Sequence, residues 1–185
     1  PYFSAAGNAN NRSIEQPYVN SQITQTVTVP GVGTYQGILH DFDPGAAVVP
    51  YLEFTVPAFS QTPLILNWDA PSQSIGSSGA DTDLDLFVFD ATFNPSPQNA
   101  NPLVFSANDN IDGAPIESTA LSANSATTYR LAIGYFLGPA DIDLKIVALN
   151  EDLGFDETTF TPTATLYGHA NAADAAGVAA VNYFS

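Results

Sequence analysis

The stretch DTDLDLFVFD, residues 81–90, decides the fold that the sequence predicts. Successive side chains of a β-strand point to opposite faces of the sheet, and this stretch alternates with the same period of two. One side carries Leu84, Leu86 and Val88, and the opposite side carries Asp83, Asp85, Phe87 and Phe89. The pattern predicts a strand that buries an aliphatic face in a core.

The same alternation recurs along the middle of the chain. It is present in PYLEFTV (50–56), PLILNWD (63–69), TTYRLAIGY (127–135) and DIDLKIVALN (141–150), and more briefly in QGILHDF (36–42), PLVFSA (102–107) and PIESTAL (115–121). Clusters rich in Gly, Pro, Asn, Asp and Ser separate these runs, and such clusters favour tight turns. Short strands at this spacing predict an all-β domain, a jelly-roll-like β-sandwich of two antiparallel sheets.

The two ends of the chain have a different character. Residues 1–8, PYFSAAGN, form an apolar run that stops at a corner on Asn8, as a buried parallel strand would. Residues 168–184, GHANAADAAGVAAVNYF, are rich in alanine and predict a helical turn followed by another buried strand. We therefore expect short segments of α/β type at both ends of the sandwich. The expected parts are a strand and corner at 1–11, the β-sandwich at 12–160 and a return segment at 161–185.

These ends also resemble a known family. FSAAGN (3–8) resembles the strand and corner of subtilisin-like serine proteases that present the asparagine of the oxyanion hole. TATLYGHANAADAAGVAAVNYF (163–184) resembles the stretch that follows in subtilases with a large insertion at this point. The middle, including LILNWDAP (64–71), looks like the β-sandwich insert of such proteases. It is also similar to sandwich modules appended to secreted bacterial peptidases.

The resemblance implies a role for Asn8, whose side-chain amide would donate a hydrogen bond to the developing oxyanion in the intact protease. In subtilisin itself such a donor is worth roughly 10²–10³ in kcat. The family's Asp-Gly, His-Gly-Thr and Gly-Thr-Ser-Met-Ala motifs, which carry the catalytic triad, are absent from this chain. The resemblance thus implies a non-catalytic insert that modulates substrate access or stability and is inactive alone. Its partners would be the remainder of the protease chain and a peptide substrate.

The composition is compatible with export from a bacterium. The chain has no cysteine, which excludes disulfides and thiolate metal sites, and no methionine, so we expect the native start upstream of Pro1. Nineteen Asp and Glu residues against three Lys and Arg give a formal charge of −16, and this field would repel nucleic acid and anionic membranes. No apolar run approaches the roughly 18–20 residues of a membrane span. We expect an extracellular or cell-surface protein.

The acidic side chains Asp81, Asp83 and Asp85 lie on one face of the first strand described above. Calcium takes about six to eight oxygen ligands, often from closely spaced carboxylates, so these residues are a candidate calcium site and calcium is the candidate cofactor. The full EF-hand pattern is not met. The alternative is a structural ion pair of Asp83 or Asp85 with Arg130 or Lys145 on a neighbouring strand, or a solvated edge.

Two further groups of residues have alternative interpretations. His40 and His169 would suit a catalytic site, but the chain has no nucleophile motif, so we expect His40 to bond a neighbour at a strand end and His169 to pack or cap. Six aromatic residues would make a surface platform for sugar or peptide, or else belong to the core, as alternating aromatics in a sandwich more often do: Phe87, Phe89, Phe93, Phe105, Tyr135 and Phe136. A platform would favour the alternative function, an extracellular carbohydrate- or protein-binding module. A third hypothesis is a calcium-stabilised extracellular spacer.

Overall fold

The computed structural model describes residues 2–5, 13–43, 45, 47–96, 98–150, 153–155 and 175–178. The strands are β1 (Tyr2–Ala5), β2 (Ser13–Pro17), β3 (Asn20–Val29), β4 (Gly33–His40), β5 (Leu52–Val56), β6 (Ser60–Trp68), β7 (Asp83–Asp90), β8 (Asn99–Ala100), β9 (Val104–Ser106), β10 (Ile116–Ala123), β11 (Thr127–Leu137), β12 (Asp143–Ala148), β13 (Gly154–Phe155) and β14 (Ala175–Val178). A 3₁₀ turn spans Gln73–Ile75. No helix in the described ranges is long and apolar enough to cross a membrane.

Strands β2 to β13 form two sheets that pack as a sandwich. Sheet I has the antiparallel order β10-β6-β12-β2. Sheet II has the order β13-β5-β11-β4-β3-β8, in which β5 and β4 pair with successive parts of one edge of β11. β7 pairs with the other edge of β11, and β9 lies beyond β7. The described pairs in both sheets are antiparallel except β3 with β8, where Thr26 and Val27 lie parallel to Asn99 and Ala100. The predicted all-β sandwich of two sheets is confirmed, and sheet II is mixed rather than purely antiparallel.

The strands near the two ends of the chain form a separate two-stranded sheet. β1 and β14 run parallel, with Tyr2 opposite Ala175 and Ala5 opposite Val178. A strand is therefore present in each of the two end segments where the sequence predicts one. The corner at Asn8 and the helical turn predicted ahead of β14 lie outside the described residues.

The main core lies between sheets I and II. Leu84, Leu86 and Val88 of β7 are buried in it, as the alternation of that stretch predicts. Other strands contribute large fully buried side chains, among them Leu52, Phe54, Leu64, Leu66, Leu131, Ile133, Leu144 and Ile146. Each such side chain stabilises the fold by about 1.5–3 kcal/mol when removed from water. Residues with period-two spacing therefore specify which face of each sheet is turned inward.

A second apolar cluster covers the other face of sheet II. Phe87 and Phe89 of β7 are buried there, so β7 is enclosed on both of its faces. The ring of Phe89 stacks on that of Phe93 with a centroid distance of 3.8 Å. The remaining aromatics of the predicted platform, Phe105, Tyr135 and Phe136, are half-buried and pack against the two cores. The interpretation of these aromatics as core residues is confirmed, and a surface platform is not formed.

The prediction that Arg130 or Lys145 pairs with Asp83 or Asp85 is wrong, and strand register explains why. Arg130 lies opposite Glu53 on β5, and its Nη2 is 2.7 Å from the Glu53 carboxylate. The residue opposite Asp85 on β11 is instead Gly134. Lys145 belongs to sheet I, where its Nζ is 2.9 Å from Glu15 on β2.

The guanidinium of Arg130 also contacts two residues of the second apolar cluster, Tyr51 and Phe93. It lies over the ring of Tyr51, 4.2 Å from the centroid, and donates a hydrogen bond to the Phe93 carbonyl. A cation over an aromatic face is attracted by the ring quadrupole. Arg130 thus acts as a structural cation beside Glu53 and Tyr51 rather than beside Asp83 or Asp85.

We expect Gly138→Ala to destabilise the sandwich far more than Gly76→Ala. Both glycines have positive φ, 105° and 81°, which costs an alanine about 1–2 kcal/mol. A Cβ at position 138 would also lie 2.0 Å from the Asp81 carbonyl oxygen. A Cβ at position 76 would have no described atom within 4 Å beyond its chain neighbours. The clash should add about 1–3 kcal/mol to the loss at position 138. Urea denaturation of both variants checks this, and equal losses would contradict the close approach.

Candidate functional site: a buried carboxylate cluster

Three acidic side chains converge where β7 of sheet II approaches β10 of sheet I. They are Asp83, Asp85 and Glu117, and we call them the carboxylate cluster. Sequence reasoning singled out the two aspartates but missed Glu117. A signal for it is present in PIESTAL, because Glu117 shares its strand face with Leu121, which is buried. A carboxylate on the apolar phase of a strand indicates a charged or protonated group facing inward.

Glu117 is the best-satisfied member of the cluster. It is 1% exposed and accepts hydrogen bonds from the Ser106 hydroxyl, from the Asn108 backbone N–H at 3.0 Å and from Asn108 Nδ2 at 2.8 Å. Burial raises the pKa of Glu117, and these donors oppose the rise. Hydrogen bonds to the charged form favour ionisation. Glu117 therefore holds the start of the loop between β9 and β10 against sheet I.

The two aspartates of β7 differ in how they are satisfied. Asp83 is half-buried and accepts the Asn110 backbone N–H at 3.2 Å, while burial and then the charge of Asp109 raise its pKa. Asp85 is 4% exposed, and its carboxyl group has no hydrogen bond to the described residues. Burial, reinforced by the charges of Asp83 and Glu117, raises the pKa of Asp85 to about 8. Asp85 is thus the carboxyl group that holds a proton at neutral pH.

Asn110 occupies the centre of the loop between β9 and β10. It is 5% exposed, and its Nδ2 donates to the carbonyls of Ala114 and Ile116 at 2.9 and 3.2 Å. Its Oδ1 is buried and has no hydrogen-bond partner in the part of the chain that the structure describes. The same loop is bonded to the segment before β7, because the Asp112 N–H donates to the Ala80 carbonyl at 2.8 Å. The loop is therefore fixed by backbone and side-chain bonds on both sides of the carboxylate cluster.

The predicted calcium ligands are only partly brought together. Asp83 and Asp85 join the carboxylate cluster, whereas Asp81 is exposed and precedes the strand. Among the described residues no group of three His, Cys, Asp or Glu side chains is placed to hold a metal ion. The calcium hypothesis has no support from the positions of these side chains and stays a prediction.

The remaining predicted residues are Asn8, His169 and His40. Asn8 and His169 lie outside the described residues. His40 ends β4, as predicted, and is completely buried. Its Nδ1 accepts the Val19 backbone N–H at 3.1 Å, and its Nε2 faces the side-chain amide of Gln16. His40 is thus a structural residue bonded to neighbours, in agreement with the sequence analysis.

Comparison with known proteins adds little to this description. Neither a scan of protein-family models nor a search of curated proteins finds a match. Among solved structures, the chain is similar to the CBM22-1 and GH10 modules of endo-1,4-β-D-xylanase 10B from Clostridium thermocellum, complexed with xylohexaose. The identity is 13%, the TM-score is 0.30, and the match covers 89% of this chain but 28% of the xylanase chain. Similarity at this level carries no argument about function.

We expect Asp85→Asn to stabilise the protein at alkaline pH. The pKa of Asp85 is higher in the folded state, at about 8, than its usual value of 3.8, so the fold binds the extra proton. The contribution of this proton to the free energy of unfolding is fully present below pH 3.8 and is lost as the pH rises towards 8. The variant has no such loss and should exceed wild type by at least about 2 kcal/mol at pH 8, with little difference at pH 4.

Urea denaturation at pH 4 and pH 8 measures this difference, with Asp81→Asn as the matched control. Asp81 is the same residue type and lies two positions before Asp83, but it is exposed. The control should follow the wild-type pH dependence. An Asp85→Asn variant that loses as much stability as wild type between the two pH values would show that Asp85 is already ionised in the fold.

Proposed function

We propose that this chain is a non-catalytic β-sandwich segment of a secreted bacterial subtilisin-like serine endopeptidase. In this proposal the sandwich modulates substrate access to the catalytic domain or stabilises that domain. The observation that carries the proposal is the parallel pairing of β1 with β14. It supports the family resemblance of the two end segments, in which the sandwich interrupts an α/β sheet.

Parallel neighbours require a long crossover, because the chain has to return to the same end of the sheet before the second strand begins. Here the crossover from β1 to β14 contains the whole sandwich. Parallel sheets occur almost only in α/β proteins that cover both faces, and a pair of strands leaves two edges unpaired. Both points favour β1 and β14 as neighbouring strands of a larger α/β sheet.

The register of β1 and β14 also bears on the proposed role of Asn8. Ala5 and Val178 are the last residues of their strands and lie opposite each other, so both strands end at the same level. Asn8 follows Ala5 by three positions and belongs to the segment leaving the carboxyl end of β1. Active sites of open α/β sheets lie at the carboxyl ends of their strands. The position of Asn8 in the sequence, just after β1, favours the oxyanion role that the resemblance implies.

Chain length limits how far the sandwich can lie from that edge. β2 begins at Ser13, only eight positions after Ala5. A fully extended chain spans at most about 3.6 Å per residue, so the start of β2 lies within about 30 Å of the carboxyl end of β1. A sandwich tethered this closely to the proposed active-site edge is positioned to restrict or hold an approaching peptide.

The oxyanion role is tested in the full-length protein with Asn8→Ala. We expect kcat for peptide hydrolysis to fall by roughly 10²–10³ with KM nearly unchanged, since the lost donor acts in the transition state. Asn10→Ala, a second asparagine of the same segment, is the matched control and should retain the wild-type rate. Equal rates for wild type and Asn8→Ala would exclude the oxyanion role. A full-length protein without peptidase activity sensitive to a serine-directed inhibitor would exclude the protease assignment itself.

The role of the sandwich is tested by replacing residues 13–155 of the full-length protein with a short Gly-Ser linker. An access role predicts unchanged hydrolysis of short chromogenic peptides and altered hydrolysis of folded protein substrates. A stabilising role predicts a lower Tm with both substrates affected equally. Unchanged rates on both substrates together with an unchanged Tm would contradict both roles.

A further inference from the structure

We propose that His40 is an acid-sensitive clasp between the two sheets, and that its protonation releases strand β2 and the β2–β3 connection while the rest of the sandwich stays folded. His40 belongs to sheet II, and Gln16 belongs to β2 at the edge of sheet I. This inference concerns the sandwich alone and does not rest on the protease assignment.

The hydrogen bonds of His40 define its protonation state. Nδ1 accepts the Val19 N–H, so a neutral ring carries its hydrogen on Nε2. That hydrogen needs an acceptor, and the Gln16 side chain is the group facing Nε2, which requires the Gln16 amide to present its oxygen. A doubly protonated ring has two donors and no acceptor, so it loses the bond from Val19. The clasp therefore closes only on a neutral His40.

The surroundings of His40 offer no compensation for a positive charge. Its ring is enclosed by the edge of Phe42 at 4.7 Å and the ring of Tyr18 at 5.5 Å. Tyr18 in turn stacks on Tyr135 of β11 at 5.2 Å. Tyr18 supplies no negative charge in acid, because burial raises the pKa of its hydroxyl. Burial lowers the pKa of His40 to about 3, which agrees with an enclosed neutral ring.

The acidic groups of the neighbouring elements are engaged elsewhere. Asp41, the next residue along the chain, accepts the Asp43 and Val49 N–H groups with its Oδ1, at 3.1 and 2.8 Å. On β2, Glu15 pairs with Lys145 of β12. Opposite His40 on β3 lies Asn20, which does not titrate. Among the described residues no acidic group forms an ion pair with His40.

The segment held by the clasp is a short strand at the edge of a sheet. β2 has five residues, lies at the edge of sheet I and, among the described strands, pairs with β12 alone. The connection after it is tied down by the Val19 bond to His40 and by the Asp41 N–H, which donates to the Val19 carbonyl at 2.8 Å. Short edge strands open locally at a lower free energy than core strands. Protonation of His40 therefore acts on β2 and the β2–β3 connection before it acts on the two-sheet core.

Hydrogen exchange of the 185-residue chain at pH 7 and pH 4.5 tests the clasp. His40 has its ordinary pKa of 6.5 when released and about 3 when held, so the closed form is fully favoured above pH 6.5 and is lost as the pH falls. After correction for intrinsic rates, protection of the amides of residues 14–19 should be about 50- to 100-fold lower at pH 4.5 than at pH 7. Protection in β6 and β11 should not fall at pH 4.5, because the proton on Asp85 makes the whole fold more stable at the lower pH.

The matched variants are His40→Asn and His169→Asn, which remove the two histidines of the chain one at a time. His40→Asn should abolish the difference between the two pH values, and His169→Asn should keep it. Equal protection of residues 14–19 at both pH values in wild type would overturn the proposal. Simultaneous loss of protection in both sheets would overturn it too.

A second measurement applies if His40→Asn does not fold. The ring protons of His40 in the wild-type chain are followed by NMR as the pH is lowered. A titration midpoint below pH 5 that coincides with shifts of the β2 amides supports the clasp. A midpoint near the ordinary value of 6.5, or one without change in β2, overturns it.

Discussion

Strand β11 is the constraint on which the rest of sheet II depends. It spans Thr127–Leu137, bonds to β7 along one edge and bonds to β5 and then β4 along the other. Both of its faces are covered as well, so its side chains have to fit two cores at once. Ile133 enters the main core while Ala132 meets the second cluster. At Gly134 a side chain would displace its neighbours, because a Cβ would lie 2.9 Å from the ring of Phe136.

This enclosure accounts for the burial of titratable groups in a protein that has few cations. Asp85 lies opposite Gly134 on a strand buried on both faces, so its carboxyl group is withdrawn from water whatever its charge. Arg130 and Lys145 pair with other residues because register places them there. The sandwich therefore holds Asp85 and His40 in their neutral forms. Asp85 lies where β7 approaches Glu117 of β10, and His40 lies where β4 contacts Gln16 of β2. A buried neutral group avoids the large cost of an unpaired buried charge.

Much of the fold follows from local patterns in the sequence, whereas the site follows from contacts between distant residues. The alternation in 81–90 is enough to predict β7 and to sort Leu86 from Phe87 by face. The partner of Arg130 was mispredicted because the choice between Glu53 and Asp85 depends on a register set by the whole of β11. The position of Glu117 was readable from the phase of its strand. The donors that distinguish it from Asp85 come from the loop that contains Asn108 and were not readable.

The adjacency of β1 and β14 has a consequence for the evolution of such a chain. Because β1 and β14 are parallel neighbours, the sandwich leaves at the carboxyl end of β1 and rejoins at the amino end of β14, which lies only about 10 Å back along the pair. A host domain that contains such a pair of strands needs only one lengthened connection to accept a module of this size. Recombination within that connection would exchange one sandwich for another and leave the sheet that receives it intact. If the chain is the proposed insert, its surface would be free to diverge independently of the host domain.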